Sequence, residues 1–219
     1  MLAYGRDPNF SGCIDTLQLN YGNPVLQEAM AGELIKIAGL CDGVRCDTAM
    51  LVLPEVFRRT WGIEMQPFWP EAIRRVRQAY PEFLFLAEVY WDLEATLLEL
   101  GFDFAYDKGL YDRLREKQGR PVREQLAKNL PMQSRLARFL ENHDEARAAV
   151  AFFPPEIHRA AAVITYLSPG LRFFQRGQFE GWRVRVPMQL CRGPQEAVDQ
   201  EIQTFYEKLL TCLRLPVFR

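Results

Sequence analysis

Short apolar runs alternate along the chain with segments in which apolar residues recur at helical spacing. The clearest helical segment runs from Pro24 to Ala38, where Asn23 suits the N-cap and Gly39 suits the end. Helices are also predicted at residues 67–80, 92–100, 108–117, 122–129, 155–167 and 196–213. The apolar runs predict strands at residues 42–47, 83–89, 102–106, 137–142 and 171–175. In the helix at 155–167, the predicted apolar stripe consists of Ile157, Ala160, Ala161, Ile164 and Leu167.

This regular alternation of strand and helix, with strands apolar on both faces, is typical of an α/β protein with a parallel sheet. Acidic residues follow several of the strands, as they do at the active-site end of a β/α barrel. An open doubly wound sheet is the alternative, although the sequence contains neither Gly-x-Gly-x-x-Gly nor a P-loop. Residues 1–22 are rich in Gly, Asn, Asp and Pro, and are predicted to form a loop.

Composition narrows the possible partners. The 219 residues are 48% hydrophobic and 25% charged, with a net charge of −1, which is ordinary for a globular protein. This balance gives no electrostatic reason to expect nucleic acid or an anionic membrane as partner. No apolar run approaches the ~18 residues of a membrane span, and no signal peptide is expected from the first residues.

The cysteines point to a reducing compartment. They are odd in number and scattered, without a Cys-x-x-Cys pair, which favours free thiols and predicts a cytoplasmic location. Cys41 and Cys46 could form half of a zinc site, but no second ligand pair lies at a suitable spacing. We therefore expect no metal.

Three carboxylates, Asp47, Glu88 and Asp144, each close a predicted strand. Because side chains alternate along a strand, Arg45 shares the face of Asp47, and such a pair on a buried strand predicts a polar pocket. If the strand ends converge, two carboxylates about 5–5.5 Å apart could perform retaining glycoside hydrolysis. Asp47, held ionised by Arg45, would be the nucleophile. Glu88, which follows the apolar run 83–87, would have a raised pKa and act as the acid/base.

Other residues could bind the sugar. His143 and Asp144 could contact hydroxyl groups and stabilise a cationic transition state, while Tyr90 and Trp91 could stack on sugar rings. Phe173 and Phe174 are better explained by buried packing. Each of the three acids also has a purely structural alternative: Asp47 in an ion pair with Arg45, Glu88 as the cap of the next helix, and Asp144 as an N-cap.

Four segments resemble short sequence regions of the alpha-amylase family of glycoside hydrolases. These segments are Gly-Val-Arg-Cys-Asp at 43–47, Leu-Ala-Glu-Val at 86–89, Glu-Asn-His-Asp at 141–144, and residues 170–180. Their order and spacing agree with the family over roughly residues 5–190. The resemblance implies a (β/α)8 barrel and retaining chemistry on α-glucosidic bonds. It assigns Asp47 as nucleophile, Glu88 as acid/base and Asp144 as transition-state stabiliser, supported by Arg45 and His143.

The chain also departs from the family. The family's first region, an Asp followed by Asn-His after the third strand, is absent. The resemblance therefore implies a truncated barrel containing about the last five β/α units in residues 23–219. Residues 1–22 would be a loop remnant of the insertion after the third strand. Thr48–Leu51 stands where many amylases have Lys-His, and without the first region we expect neither calcium nor any other cofactor.

The expected partner is an oligosaccharide or α-glucan. Two alternatives stay open: a glucan transferase or branching-type enzyme on the same scaffold, and a non-catalytic sugar-binding remnant. A barrel that lacks strands has open edges, so the fragment is expected to be inactive on its own and to self-associate through those edges.

Overall fold

The structure is a computed structural model, and it describes residues 3–127 and 129–218. The chain forms two compact units, which divide between Tyr106 and Asp107. That residues 1–22 are a remnant separate from a domain at 23–219 stays a prediction.

The first unit alternates strands and helices. Its elements are β1 (Tyr4–Gly5), β2 (Cys13–Leu17), α1 (Pro24–Ala38), β3 (Gly43–Cys46), α2 (Pro54–Trp61), α3 (Trp69–Ala79), β4 (Leu84–Ala87), α4 (Glu94–Glu99) and β5 (Phe104–Tyr106). Helix α1 has the predicted bounds, and the Asn23 side chain accepts a hydrogen bond from the Val25 N–H, as expected of an N-cap. The prediction of loop throughout residues 1–22 is wrong, because β1 and β2 pair as antiparallel strands.

Strands β3, β4 and β5 lie side by side and run parallel, as the α/β pattern predicts. Cys46 is the register partner of Ala87, so β3 and β4 end together. Each is followed at once by a candidate catalytic acid, and the Glu88 N–H donates to the Cys46 carbonyl at 3.0 Å. The register therefore brings the two candidate acids to adjacent positions at one sheet edge.

Aromatic side chains fill the core beside these strands. The ring of Phe102 contacts Trp69 and Phe85 edge-on, with centroids 4.9 and 6.1 Å away. The Trp69 indole N–H donates to the Ala49 carbonyl at 2.9 Å, which ties α3 to the turn that follows β3. This packing supports the strand ends from which the candidate acids project.

The second unit contains α5 (Lys108–Arg115), α6 (Gly119–Leu126), α7 (Leu130–Gln133), β6 (Leu136–Arg138), α8 (Ala148–Ala151), α9 (Pro155–Leu167), β7 (Leu171–Arg172) and α10 (Gln200–Leu213). Strands β6 and β7 pair in parallel. At the end of β6, Arg138 is buried and forms an ion pair with Asp107 at 3.1 Å. The Asp107 carboxylate also accepts a hydrogen bond from the Gln125 amide at 2.8 Å, so it has a neutral hydrogen-bond donor in addition to its ion pair.

Helix α9 has the predicted bounds but buries a different face. Its buried residues include His158, Thr165 and Tyr166, whereas Ala160 of the predicted stripe is exposed. The Gln178 amide donates to the hydroxyls of both Tyr166 and Tyr206 at 2.8 Å, which satisfies these polar groups inside the core. Polar residues therefore occupy buried positions that an apolar stripe cannot predict.

No helix in residues 3–127 and 129–218 combines the length and the apolar character needed to cross a membrane.

Candidate active site

Arg45 is the centre of a polar cluster at the carboxyl ends of β3 to β5. Its guanidinium forms ion pairs with Asp47 and, at 2.8 Å, with Glu88. Its Nε donates to the Tyr106 hydroxyl at 3.3 Å. The predicted shared face of Arg45 and Asp47 is confirmed, and the cluster also includes Glu88 of the neighbouring strand.

The two carboxylates occupy contrasting environments. The Glu88 side chain is only 3% exposed, whereas that of Asp47 is 74% exposed. Burial raises the pKa of Glu88 above its ordinary value, against the lowering effect of hydrogen bonds from Tyr90 and Thr48 and of the Arg45 charge. One site thus holds a protected carboxyl with a raised pKa beside a carboxyl open to water.

Two hydrogen bonds fix the Glu88 carboxylate. The Tyr90 hydroxyl donates to Oε1 at 2.6 Å, and the Thr48 backbone N–H donates to Oε2 at 2.6 Å. Thr48 lies in the left-handed region with φ 39°, a conformation that is uncommon outside glycine. This turn directs its N–H towards the carboxylate. Glu88 does not cap the next helix, because α4 has Leu93 at its N-cap.

Sequence reasoning missed Thr48 and Tyr106 as parts of this cluster. Tyr106 closes β5, just as the acids follow the ends of β3 and β4, so the position of a polar residue at a strand end was an available signal. Thr48 gave no such signal, because it contributes its backbone N–H and not its side chain.

Tyr90 and Trp91 were predicted to stack on sugar rings, which stays a prediction. Tyr90 is half-buried and its hydroxyl is bonded to Glu88. Trp91 has a φ of 63°, and its ring stacks on that of Phe10 with centroids 6.5 Å apart. The Arg59 guanidinium lies 5.9 Å from the centroid of the same ring.

The second unit holds the other two predicted residues. His143 Nε2 lies 3.0 Å from Asp144 Oδ2. The backbone N–H groups of Asp144 and Glu145 both donate to the Asn142 side-chain oxygen at 2.9 Å, which forms a tight turn. Asp144 is not an N-cap, because α8 begins at Ala148 with Arg147 in the cap position. That His143 and Asp144 join Asp47 and Glu88 around one substrate stays a prediction.

Glu141 is a buried acid that was not predicted from the sequence to have a shifted pKa. Burial raises its pKa to about 7, although the Arg147 guanidinium lies 2.8 Å away and the Ala148 N–H donates to the carboxylate. Beside it, a cavity of about 600 Å³ opens along Asn142 and His143. The second unit therefore combines an ionisable buried group with a ligand-sized cavity.

Cysteine and carboxylate side chains are the groups that bear on whether the chain binds a metal ion. None of the five cysteines forms a disulfide, and Cys46 is buried, which raises the pKa of its thiol to about 12. In the part of the chain that the structure describes, no group of three or more His, Cys, Asp or Glu side chains is placed to hold a metal ion.

No protein-family model matches the sequence, and no curated protein matches it. Solved structures do match. An alpha-amylase from Lactobacillus plantarum is 26% identical with a TM-score of 0.63, covering 91% of this chain and 50% of that one. A Nostoc punctiforme debranching enzyme soaked with acarbose is 20% identical with a TM-score of 0.75, covering 95% of this chain and 48% of that one. A cyclic alpha-maltosyl-(1→6)-maltose hydrolase from Arthrobacter globiformis is 14% identical with a TM-score of 0.75, covering 96% and 49%.

The chain thus spans about half the length of the structures that it matches. Together with the parallel strands and intervening helices, these likenesses confirm the fold prediction, a truncated (β/α)8 barrel.

Proposed function

We propose that the chain is a partial alpha-amylase-family domain and that it carries the nucleophile and the acid/base of a retaining glycoside hydrolase acting on α-glucosidic bonds. The substrate would be an α-glucan or oligosaccharide. The observation that carries this proposal is the contact of one guanidinium, that of Arg45, with a buried and an exposed carboxylate. Retaining hydrolysis needs two such carboxyl groups, close together and with separate roles.

In the first step, Glu88 protonates the glycosidic oxygen while Asp47 attacks the anomeric carbon. The bond to the leaving sugar breaks, and a covalent glycosyl ester forms on Asp47. The raised pKa of Glu88 supports its role as the acid, since a buried carboxyl keeps its proton to higher pH. The Arg45 ion pair supports Asp47 as the nucleophile, because it holds an exposed carboxylate beside Glu88 at the strand ends.

In the second step, Glu88 takes a proton from water, which attacks the glycosyl ester and releases Asp47. The exposure of Asp47 leaves the ester open to water. His143 and Asp144 would bind sugar hydroxyls and stabilise the positive charge of the transition state. Tyr90 and Trp91 would lie against the sugar rings.

The proposal is tested by incubating the purified chain with maltooligosaccharides and measuring the release of reducing ends. Asp47→Asn and Glu88→Gln should each abolish the release. Asp42→Asn and Glu82→Gln are matched controls, since both residues are exposed and lie just before the same two strands. Loss of activity in the controls as well, or full activity in Asp47→Asn, would refute the catalytic assignment.

The other outcomes separate the alternatives. Longer products in the presence of an acceptor sugar would identify a transferase. Binding of maltooligosaccharide by calorimetry without turnover would favour a sugar-binding remnant and an inactive fragment.

The remaining proposals concern the setting of the chain. Self-association through open strand edges predicts an assembly larger than 25.4 kDa in sedimentation analysis. The cysteines, none of which forms a disulfide, support a cytoplasmic location, which fractionation of the source cells would test.

A further inference from the structure

The cavity of about 600 Å³ lies wholly within the second unit, in residues 142–196. The lining includes the turn that carries Asn142 and His143 and the irregular segment before α10. The volume falls in the range of small-molecule sites. The cavity is thus large enough for a whole small molecule, and not only for the sugar hydroxyl groups that His143 is proposed to bind.

Three arginines line this cavity: Arg147, Arg176 and Arg185. The charge of Arg147 is matched by the Glu141 carboxylate at 2.8 Å. Within residues 3–127 and 129–218, neither Arg176 nor Arg185 forms an ion pair with a carboxylate. The cavity therefore presents two guanidinium groups that form no ion pair in the described part of the chain.

Among the described residues, the lining contains one acid, Glu196, which forms no ion pair with Arg176 or Arg185. Its carboxylate accepts hydrogen bonds from the backbone N–H groups of Arg183 at 2.7 Å and of Val184 at 3.1 Å. Glu196 is thus bound to the backbone of the segment before α10, and its single negative charge is outnumbered by the arginines of the lining.

Each of the two cations is exposed, and its side chain makes a contact within the protein. The Arg176 guanidinium lies over the Trp182 ring, 5.8 Å from its centroid. Arg185 Nε donates to the His143 carbonyl at 3.4 Å. The Arg176 carbonyl accepts from Arg147 at 2.8 Å, and Gly177 permits this packing, because a Cβ there would lie 2.2 Å from the Trp182 ring.

We propose that this cavity binds a phosphate monoester carried on a sugar, with Arg176 and Arg185 contacting the phosphate and His143 contacting the sugar. The planar guanidinium matches the geometry of phosphate oxygens and forms charge-assisted hydrogen bonds with them. A dianionic phosphate also suits two such cations better than a singly charged uronate. The sugar half of this assignment rests on the proposed function, whereas the anion half rests on the cavity alone.

The test is calorimetric binding to the full chain at low salt. The ligands are maltotriose bearing one phosphate at O6, plain maltotriose, a maltotriose with a uronate in place of one glucose, and inorganic phosphate. We expect the phosphorylated sugar to bind about tenfold more tightly than each of the other three. Arg176→Gln and Arg185→Gln should each remove most of that advantage. Arg183→Gln, an exposed arginine of the same segment outside the cavity lining, should keep it.

Equal affinity for plain and phosphorylated maltotriose would overturn the anion site and leave the glucan chemistry untouched. Equal affinity for inorganic phosphate and the phosphorylated sugar would overturn the sugar half. A tenfold advantage that survives both cavity substitutions would show that the phosphate binds elsewhere. Absence of turnover would bear only on the proposed function, because binding is measured here without reaction.

Discussion

Replacing His158 with Gln should remove a large part of the acid sensitivity of this protein. His158 is 2% exposed, and its Nε2 lies 2.8 Å from the Tyr206 hydroxyl. Burial, assisted by the charge of Arg159, lowers the pKa of the imidazole from 6.5 to about 4. Between these two pKa values the imidazole is therefore neutral in the folded state and protonated in the unfolded state.

The sign and size of the effect follow from these two pKa values. The stability that neutral His158 contributes is fully present above pH 6.5 and is lost as the pH falls towards 4. At about 1.36 kcal/mol for each pH unit, the loss amounts to about 3 kcal/mol. Glu141 acts in the opposite direction: its pKa is raised from 4.5 to about 7, so its contribution is lost as the pH rises through that range.

His158 and Glu141 change the free energy of unfolding in opposite directions as the pH changes. The pH dependence of the wild-type stability alone therefore does not reveal either contribution. The measurement is the free energy of unfolding by urea, followed by circular dichroism between pH 4 and pH 8. The difference between wild type and His158→Gln should change by about 3 kcal/mol across that range. His143→Gln is the matched control, since His143 is the only other histidine. Parallel curves for wild type and His158→Gln, or the same change in the control, would refute the reasoning.

Two further substitutions test contacts at the sites. Tyr90→Phe removes a 2.6 Å hydrogen bond that lowers the pKa of Glu88, so carboxyl-carbon NMR should show Glu88 titrating at higher pH than in wild type; an unchanged titration would contradict the contact. Gly177→Ala should destabilise the fold by more than about 1 kcal/mol, because φ is +86° and the added Cβ would meet Trp182. Gly32→Ala is the control in thermal unfolding: it adds a Cβ to open space on α1 and should stabilise by up to about 1 kcal/mol.

Local signals determined the bounds of two helices well, whereas the helix predicted at 122–129 lies at Gly119–Leu126. Helices α1 and α9 begin and end where proline, capping and breaking residues predict, because those residues act through hydrogen bonds and dihedral limits within a few positions. The shared face of Arg45 and Asp47 likewise follows from strand alternation alone. The antiparallel pair of β1 and β2 was missed because both strands are short and largely exposed, so they lack an apolar pattern.

The order of residues along the chain indicates which residue types stand at the strand ends and, through four short motifs, which type of fold is formed. It does not indicate that one guanidinium contacts both Asp47 and Glu88, that a left-handed Thr48 donates its N–H to Glu88, or that Glu88 is buried while Asp47 is exposed; these follow from the folded chain. The physical reason is that desolvation and hydrogen bonding depend on neighbours brought together by strand register, dozens of residues apart along the chain. The pKa of an acid is therefore a property of its surroundings in space.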